Sequence, residues 1–268
     1  MIRIVTVCAG DDTFARAAQQ YALTLAKAFG ARLCGVLVWE PEDVEKAREG
    51  GYGDDLEQLA QREVKELIDE ARAAGLEAEA RFRGEGLRKS LLAEGRESDL
   101  LVVGMPTEGV SRENRLARAL LHAELPLLRK GEASLLVCCR PPASVDTVLV
   151  SYQGGVEGKA ALRLGAHVAE RMKANVAVLS IQGDLAQAEL LAATAEQYLR
   201  AFELPAVETI ERAGSPESEG EVLQAVDDAG ADLIVFGDEP YGVLERFFGG
   251  ATAEKVALAT ETPVLIAR

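Results

Sequence analysis

Short apolar runs alternate along the chain with longer segments in which apolar residues recur every three or four positions. The clearest short run is Asp232-Leu-Ile-Val-Phe-Gly237, where four apolar residues stop at a glycine. A run of this kind, rich in β-branched residues, predicts a strand buried on both faces of a parallel sheet. Segment 14–29 shows the longer repeat and predicts a helix, which Asp12 or Thr13 would cap. The alternation of the two patterns is typical of an α/β fold.

The same strand ending occurs twice in the sequence. Asp99-Leu-Leu-Val-Val-Gly104 matches the segment that ends at Gly237, and a second glycine follows five positions later in both places, at Gly109 and Gly242. The sequence therefore predicts an internal duplication. We place the first domain at 1–140 and the second at 144–268, with a short linker between them.

Each domain is predicted to contain five strands that alternate with four helices. The predicted strands are 2–8, 32–39, 77–83, 100–103 and 135–139, then 145–151, 175–181, 206–212, 233–236 and 264–266. The predicted helices are 14–29, 55–74, 87–96 and 114–129, then 156–173, 185–202, 218–229 and 244–259, and the polar stretch 42–54 is predicted to be an irregular, mobile excursion. This order predicts two doubly wound, Rossmann-like parallel sheets with right-handed crossovers. A ligand would bind beyond the carboxyl ends of the first and fourth strands.

Charge and composition narrow the classes of partner. The chain has 268 residues and a formal net charge of −15, a field that disfavours binding to nucleic acid or to an anionic membrane surface. It does not exclude a small nucleotide held by backbone N–H groups in a local pocket. The sequence begins directly with a predicted strand and contains no apolar segment of transmembrane length, so we expect a cytoplasmic protein.

The residue types that usually carry catalysis are not grouped in the sequence. Cys8, Cys34, Cys138 and Cys139 lie in or beside predicted strands without a CxxC pair, and we interpret them as buried, inert thiols. His122 and His167 fall in predicted helices with no partner at ligand spacing, so we interpret them as packing or surface residues. Segment 215–219 is typical of a turn and a helix N-cap. No Ser-His-Asp set, metal cluster or Walker lysine is visible, and nothing argues for catalysis.

At this point the chain resembles the universal stress protein family in its tandem, two-domain form. The resemblance covers nearly the whole length. It is carried by the strand and helix order of each half, by the Gly-x-x-x-x-Gly turn after each fourth strand, by Gly250-Ala-Thr-Ala-Glu-Lys-Val256 and by the closing segment 261–266. It implies the α/β fold described above and a stress-related regulatory or binding function rather than an enzymatic one.

The resemblance also implies a nucleotide site in the second domain. ATP-binding members carry Gly-x2-Gly-x9-Gly-Ser/Thr after the fourth strand and an Asp after the first. Gly237 and Gly250 match the first and third glycines, whereas Pro240 replaces the second and has no N–H. Gln153 stands at the Asp position. The implied cofactor-binding residues are Gln153, Ile181, Gly237, Gly242, Gly250, Ala251 and Thr252, where Thr252 could supply the hydroxyl that Ala251 lacks. The implied ligand is ATP or another adenine nucleotide, and whether Mg²⁺ accompanies it is left open.

The first domain departs further from the family pattern. Gly104 and Gly109 remain, but 111–129 contains no glycine and Cys8 stands at the Asp position, so we expect its site to be degenerate. Arg112, Arg115 and Arg118 are interpreted as a solvated helix face rather than an anion site.

Three functions follow from this pattern. The first is a regulatory protein with a weak or altered nucleotide site in the second domain, capable at most of slow ATP hydrolysis. The second is a scaffold without nucleotide, which acts on protein partners as an intramolecular pseudo-dimer. The third, an enzyme of the wider adenine-nucleotide α-hydrolase-like group, is disfavoured by the missing reactive cluster. By resemblance, strands 135–139 and 264–266 would pair within one chain, and pairing of whole chains is left open.

Overall fold

The computed structural model describes residues 2–10, 12–52, 58, 61–62, 64–105, 132–142, 144–216, 218–238 and 252–268. These residues form two compact units, one before position 143 and one after it. Each unit consists of a parallel sheet whose strands alternate with helices, so the predicted α/β class is confirmed. No helix in these ranges is both long enough and apolar enough to cross a membrane.

The first unit contains a five-stranded parallel sheet in the order β3-β2-β1-β4-β5. Its elements are β1 Ile4–Cys8, α1 Thr13–Phe29, β2 Arg32–Val38, α2 Pro41–Ala47, a π-helical turn Arg48–Tyr52, α3 Lys65–Ala73, β3 Ala78–Arg83, α4 Leu87–Glu97, β4 Leu100–Gly104 and β5 Ser134–Cys138. Among these strands β1 is central, and β3 lies at an edge with every residue half-buried.

The second unit repeats the arrangement, with the sheet order β10-β9-β6-β7-β8. Its elements are β6 Thr147–Ser151, α5 Gly155–Met172, β7 Asn175–Gln182, α6 Leu185–Leu199, β8 Val207–Ala213, α7 Glu219–Ala229, β9 Leu233–Gly237, α8 Thr252–Ala259 and β10 Val264–Ala267. Counted from its own first strand, each unit has the same strand order. This agreement confirms the internal duplication that the repeated Asp-apolar-Gly segments predict.

Local side-chain chemistry explains where helices begin and end. The Asp12 Oδ1 atom accepts hydrogen bonds from the backbone N–H groups of Phe14 and Ala15, both at 2.8 Å, and so caps α1. Gly30 ends this helix with a left-handed backbone, φ 62°. The Ser218 hydroxyl accepts from the Glu221 N–H at 3.3 Å and caps α7. Both predicted N-caps are confirmed.

The prediction of an irregular excursion over 42–54 is wrong for its described part, because Pro41–Ala47 is a helix and Arg48–Tyr52 a π-helical turn. Pro41 suits the first helical position, and the carboxylates of Glu42 and Asp43 lie in the first turn. Val44 is only 7% exposed and anchors the helix. The mostly polar sequence around Val44 gives too weak a periodicity to identify such a helix from sequence.

Three predicted helices extend beyond the described residues. The predicted helix 114–129 lies wholly outside them. The described parts of 55–74 and 244–259 contain α3 and α8, which agree with the prediction over Lys65–Ala73 and Thr252–Ala259.

Candidate functional site

The candidate site lies at the carboxyl ends of the central strands of the second unit. β6 pairs with β7 on one side and with β9 on the other, so the chain segments that follow these three strands emerge side by side. Gln153 follows β6, Ile181 lies near the end of β7, and Gly237 ends β9. The structure thus brings together three of the seven residues that the resemblance singles out.

The Gln153 side chain links the ends of β6 and β7. Its Oε1 atom accepts from the Ile181 backbone N–H at 3.3 Å and from the Gln182 Nε2 at 3.0 Å. Its Nε2 atom donates to the Ser151 hydroxyl over a longer distance, 3.5 Å. The amide oxygen therefore has two donors, while the amide nitrogen retains donor capacity.

Ile181 contributes backbone rather than side chain to this edge. Its side chain is fully buried in the core, and its N–H points to Gln153. Sequence reasoning missed Gln182, which completes the contact with Gln153. Only its position at the end of a predicted strand could have drawn attention to it.

Gly237 has a packing role that does not depend on any ligand. A Cβ atom at this position would overlap the backbone carbonyl of Glu157, in the first turn of α5. Gly104 meets the Phe14 carbonyl of α1 in the same way in the first unit. Both glycines therefore allow the first helix of their unit to pack directly on the fourth strand.

The backbone N–H groups directly after these glycines are used within the sheets. The Asp238 N–H donates to the Ala267 carbonyl at 3.0 Å, and the Met105 N–H donates to the Cys138 carbonyl at 2.8 Å. The first N–H group after each of these glycines is therefore not free to bind a phosphate. The Asp238 carboxylate also forms an ion pair with Arg268 at 3.0 Å.

The remaining predicted binding residues belong to the loop before α8. Thr252 is half-buried and begins α8, so it stands at a helix N-terminus, where backbone N–H groups favour an anion. Gly242, Gly250 and Ala251 lie outside the described residues, as does Pro240.

Cys8 lies at the equivalent strand end of the first unit, where the family has an Asp. Loss of solvation, with a smaller effect of the Glu94 charge, raises the pKa of Cys8 to about 12. Burial raises the pKa of Cys34 to about 12 and that of Cys138 further. Because thiolate is the reactive form, these three thiols are expected to be unreactive near neutral pH.

His167 is a packing residue, as expected. Its ring meets Phe202 edge-on, with 5.2 Å between ring centroids. Partial burial lowers the pKa of His167 despite the nearby Glu170 carboxylate, which acts in the opposite direction. His122 lies outside the described residues. Within the described ranges, no three His, Cys, Asp or Glu side chains are grouped so that they could hold a metal ion.

Fold and strand-end arrangement together define a tandem α/β protein made of two copies of one doubly wound unit. The sequence model of the universal stress protein family matches residues 1–126 and again 144–268. The chain therefore belongs to the universal stress protein family, with two tandem units, and the resemblance is confirmed.

Solved structures show the same fold at low sequence identity. A universal stress protein from Archaeoglobus fulgidus DSM 4304 is 16% identical, with a TM-score of 0.72 over 99% of this chain and 96% of that chain. Protein PA1789 from Pseudomonas aeruginosa PAO1, of unknown function, is 16% identical, with a TM-score of 0.60 over 99% and 92%. The cytoplasmic domain of a prokaryotic cation chloride cotransporter is 10% identical, with a TM-score of 0.50 over 100% and 95%. No curated protein sequence matches the chain.

Proposed function

We propose that this chain is a non-catalytic regulatory protein of the stress response whose second unit holds a weak or altered adenine-nucleotide site. One observation carries the proposal: Gln153, Ile181 and Gly237 meet at neighbouring strand ends of one parallel sheet. Ligands of doubly wound sheets bind at this edge. The nucleotide would be bound and released, with at most slow hydrolysis.

Gln153 is the proposed contact to the base or ribose. Its Oε1 atom is held by the Ile181 N–H and the Gln182 amide, which fix the orientation of the side chain. Its Nε2 atom can then donate to a ring nitrogen or a ribose oxygen. Without the carboxylate of other family members, the contact is neutral, which is why we propose weak binding.

Thr252 and the start of α8 are proposed to contact the phosphates, together with Gly242, Gly250 and Ala251. The described residues offer no carboxylate cluster for a metal ion. If Mg²⁺ accompanies the nucleotide, we propose that phosphate oxygens and water supply most of its ligands.

The second candidate is a scaffold that acts on protein partners without nucleotide. It is favoured by the packing of Gly237 against the Glu157 backbone, which explains this glycine without a phosphate. The similarity to a cytoplasmic domain of a cotransporter adds that this fold is also found as a module of a larger protein. A fold alone does not fix a function.

A thermal melt with ATP, ADP or AMP, with and without Mg²⁺, separates the two candidates. A nucleotide that binds the folded state at about a hundredfold excess over its Kd adds about 2.7 kcal/mol of stability, which raises Tm by several degrees. Gln153→Ala should weaken binding by about tenfold, the scale of one hydrogen bond. Gln187→Ala, an exposed residue on α6, is the matched control and should bind like the wild type.

Two results would contradict the proposed nucleotide site. If no nucleotide shifts Tm and no ligand co-purifies, the nucleotide proposal fails and the scaffold candidate stands. If a shift survives unchanged in Gln153→Ala, the protein binds nucleotide elsewhere than at the strand ends of the second unit.

A further inference from the structure

A second concave site lies between two helices of the second unit, and one of its lining residues, Tyr152, directly precedes Gln153 of the strand-end site. The α5/α6 cleft has a volume of about 420 Å³ and a mostly apolar lining. Val156, Lys159, Ala160 and Arg163 of α5 line it at helical spacing, and α6 contributes Thr194 and Tyr198. Its volume falls in the range of ordinary small-molecule sites, about 300–1,000 Å³.

Large apolar side chains remain exposed at the cleft. Val156 is 79% exposed and Tyr198 is 42% exposed. Tyr152 and Leu162 also line the cleft and are almost completely buried, so they provide a fixed base. A ligand could therefore contact the exposed apolar side chains of the cleft while the buried residues beneath them stay in place.

Two of the three cationic side chains that line the cleft are available for an anion, whereas the third, Arg268, pairs with Asp238 at 3.0 Å. In the part of the chain that the structure describes, neither Lys159 nor Arg163 has an ion-pair or hydrogen-bond partner, and both are exposed. Elsewhere in the same unit Arg200 pairs with Glu196 and Arg212 pairs with Asp228. Arg171 and Lys173 at the end of α5 are likewise exposed and without an ion pair among the described residues, but they do not line the cleft. Lys159 and Arg163 differ from them because both stand at the apolar cleft, one helical turn apart.

We propose that the α5/α6 cleft binds a small amphipathic anion, that is, a molecule with one carboxylate or sulfonate head and a hydrocarbon or aromatic body. Lys159 and Arg163 hold the head, and Val156 and Tyr198 cover the body. The exposed apolar surface excludes water from the body, while the charge fixes which end lies at α5. This proposal does not rest on the nucleotide site, although the two adjoin: Arg268 lines the cleft and pairs with Asp238, the residue that follows β9.

The test uses the full chain and the fluorescent aromatic sulfonate 8-anilinonaphthalene-1-sulfonate, displaced by decanoate or by the neutral decanol. Decanoate is expected to displace the probe, and decanol should require at least about tenfold higher concentration, because it lacks the charged head. The double variant Lys159→Gln/Arg163→Gln should lose decanoate affinity by about tenfold or more. Arg171→Gln removes an exposed cation of the same helix outside the cleft and should leave the affinity unchanged.

Circular dichroism spectra and Tm of the variants establish that they remain folded, as expected for exposed positions. The proposal is overturned if the probe is not displaced, if decanol competes as well as decanoate, or if the double variant binds decanoate like the wild type. Binding of an acidic peptide at the cleft without binding of decanoate would overturn it in favour of a protein partner.

Discussion

At the level of single residues, Gly237 and Gly104 match the glycines of a phosphate-binding turn in sequence, but in the structure they allow close packing of a helix. Each lies where the backbone of a helix touches the last residue of a strand. The sequence pattern identifies both glycines and their repetition. It cannot separate a phosphate turn from close helix packing, because both require the absence of a side chain.

Gly237→Ala is expected to lower the free energy of unfolding by about 1–3 kcal/mol, because the new methyl group must displace the Glu157 carbonyl of α5. Urea unfolding followed by circular dichroism measures this loss. Gly220→Ala is the control: a Cβ there meets nothing within 4 Å, and the residue lies in α7. It should leave stability unchanged or raise it by up to about 1 kcal/mol.

Wild-type stability in Gly237→Ala, combined with loss of a nucleotide-induced rise in Tm, would contradict the packing role and assign the glycine to the ligand.

Gln153 shows where sequence reasoning stops at the residue level. Its position after the first strand of the second unit follows from the family pattern, and so does the loss of charge. Its partners Ile181 and Gln182 come from a neighbouring strand about 28 residues later in the sequence. The hydrogen bonds depend on strand register and side-chain rotamer, which hydrophobic periodicity does not encode.

At the level of elements, the third strand of each unit is tied to the helix that follows it by arginine. In the first unit the Glu94 carboxylate of α4 is 1% exposed and accepts from Arg83 Nε at 2.7 Å and Arg81 Nη1 at 3.1 Å. In the second unit Arg212 of β8 contacts Asp228 of α7 at 2.6 Å, with Asp228 54% exposed. Both units thus have an ion pair between the third strand and the following helix, but the carboxylate is buried in the first unit and exposed in the second.

This difference predicts unequal costs for two matched substitutions. Glu94→Gln should lower the free energy of unfolding by about 2–3 kcal/mol, because the partly buried guanidinium groups of Arg81 and Arg83 lose their buried charge partner and retain only the more exposed Glu79 and Glu97. Asp228→Asn should cost less than about 1 kcal/mol, because water screens the exposed Asp228 carboxylate and Arg212 keeps its hydrogen bond to the Glu221 carbonyl. Equilibrium urea unfolding of both variants checks the order. Equal losses, or a larger loss in Asp228→Asn, would show that burial does not set the strength of these contacts.

Most helices and strands could be predicted from sequence, because each has a clear apolar pattern of its own. Buried strands such as β9 are continuous apolar runs, and helices such as α1 have a full apolar face and an N-cap. By contrast, Val44 alone is buried among the described side chains of α2, and the polar composition of this helix conceals it in the sequence. The α5/α6 cleft could not be predicted, since it arises where two helices meet and not within either of them.

At the level of the whole molecule, the net negative charge affects both anion binding and the stability of the fold. Of the 268 residues, 44 are acidic and 29 are basic, which gives the net charge of −15. Such an excess repels distant anions and also destabilises the compact state through self-repulsion. An anionic ligand must therefore be held by local donors, such as backbone N–H groups at the strand ends or the cations of the α5/α6 cleft.

Self-repulsion predicts that added salt stabilises the protein. Raising NaCl from about 10 mM to about 100 mM shortens the Debye length from about 30 Å to about 10 Å and screens distant like charges. We expect Tm to rise by about 2–4 °C, the change that corresponds to about 1 kcal/mol in a chain of this size class. Differential scanning calorimetry measures the rise, and KCl should act like NaCl because screening depends on ionic strength. A fall in Tm would mean that attractive pairs such as Arg83–Glu94 outweigh the repulsion of the excess acidic groups.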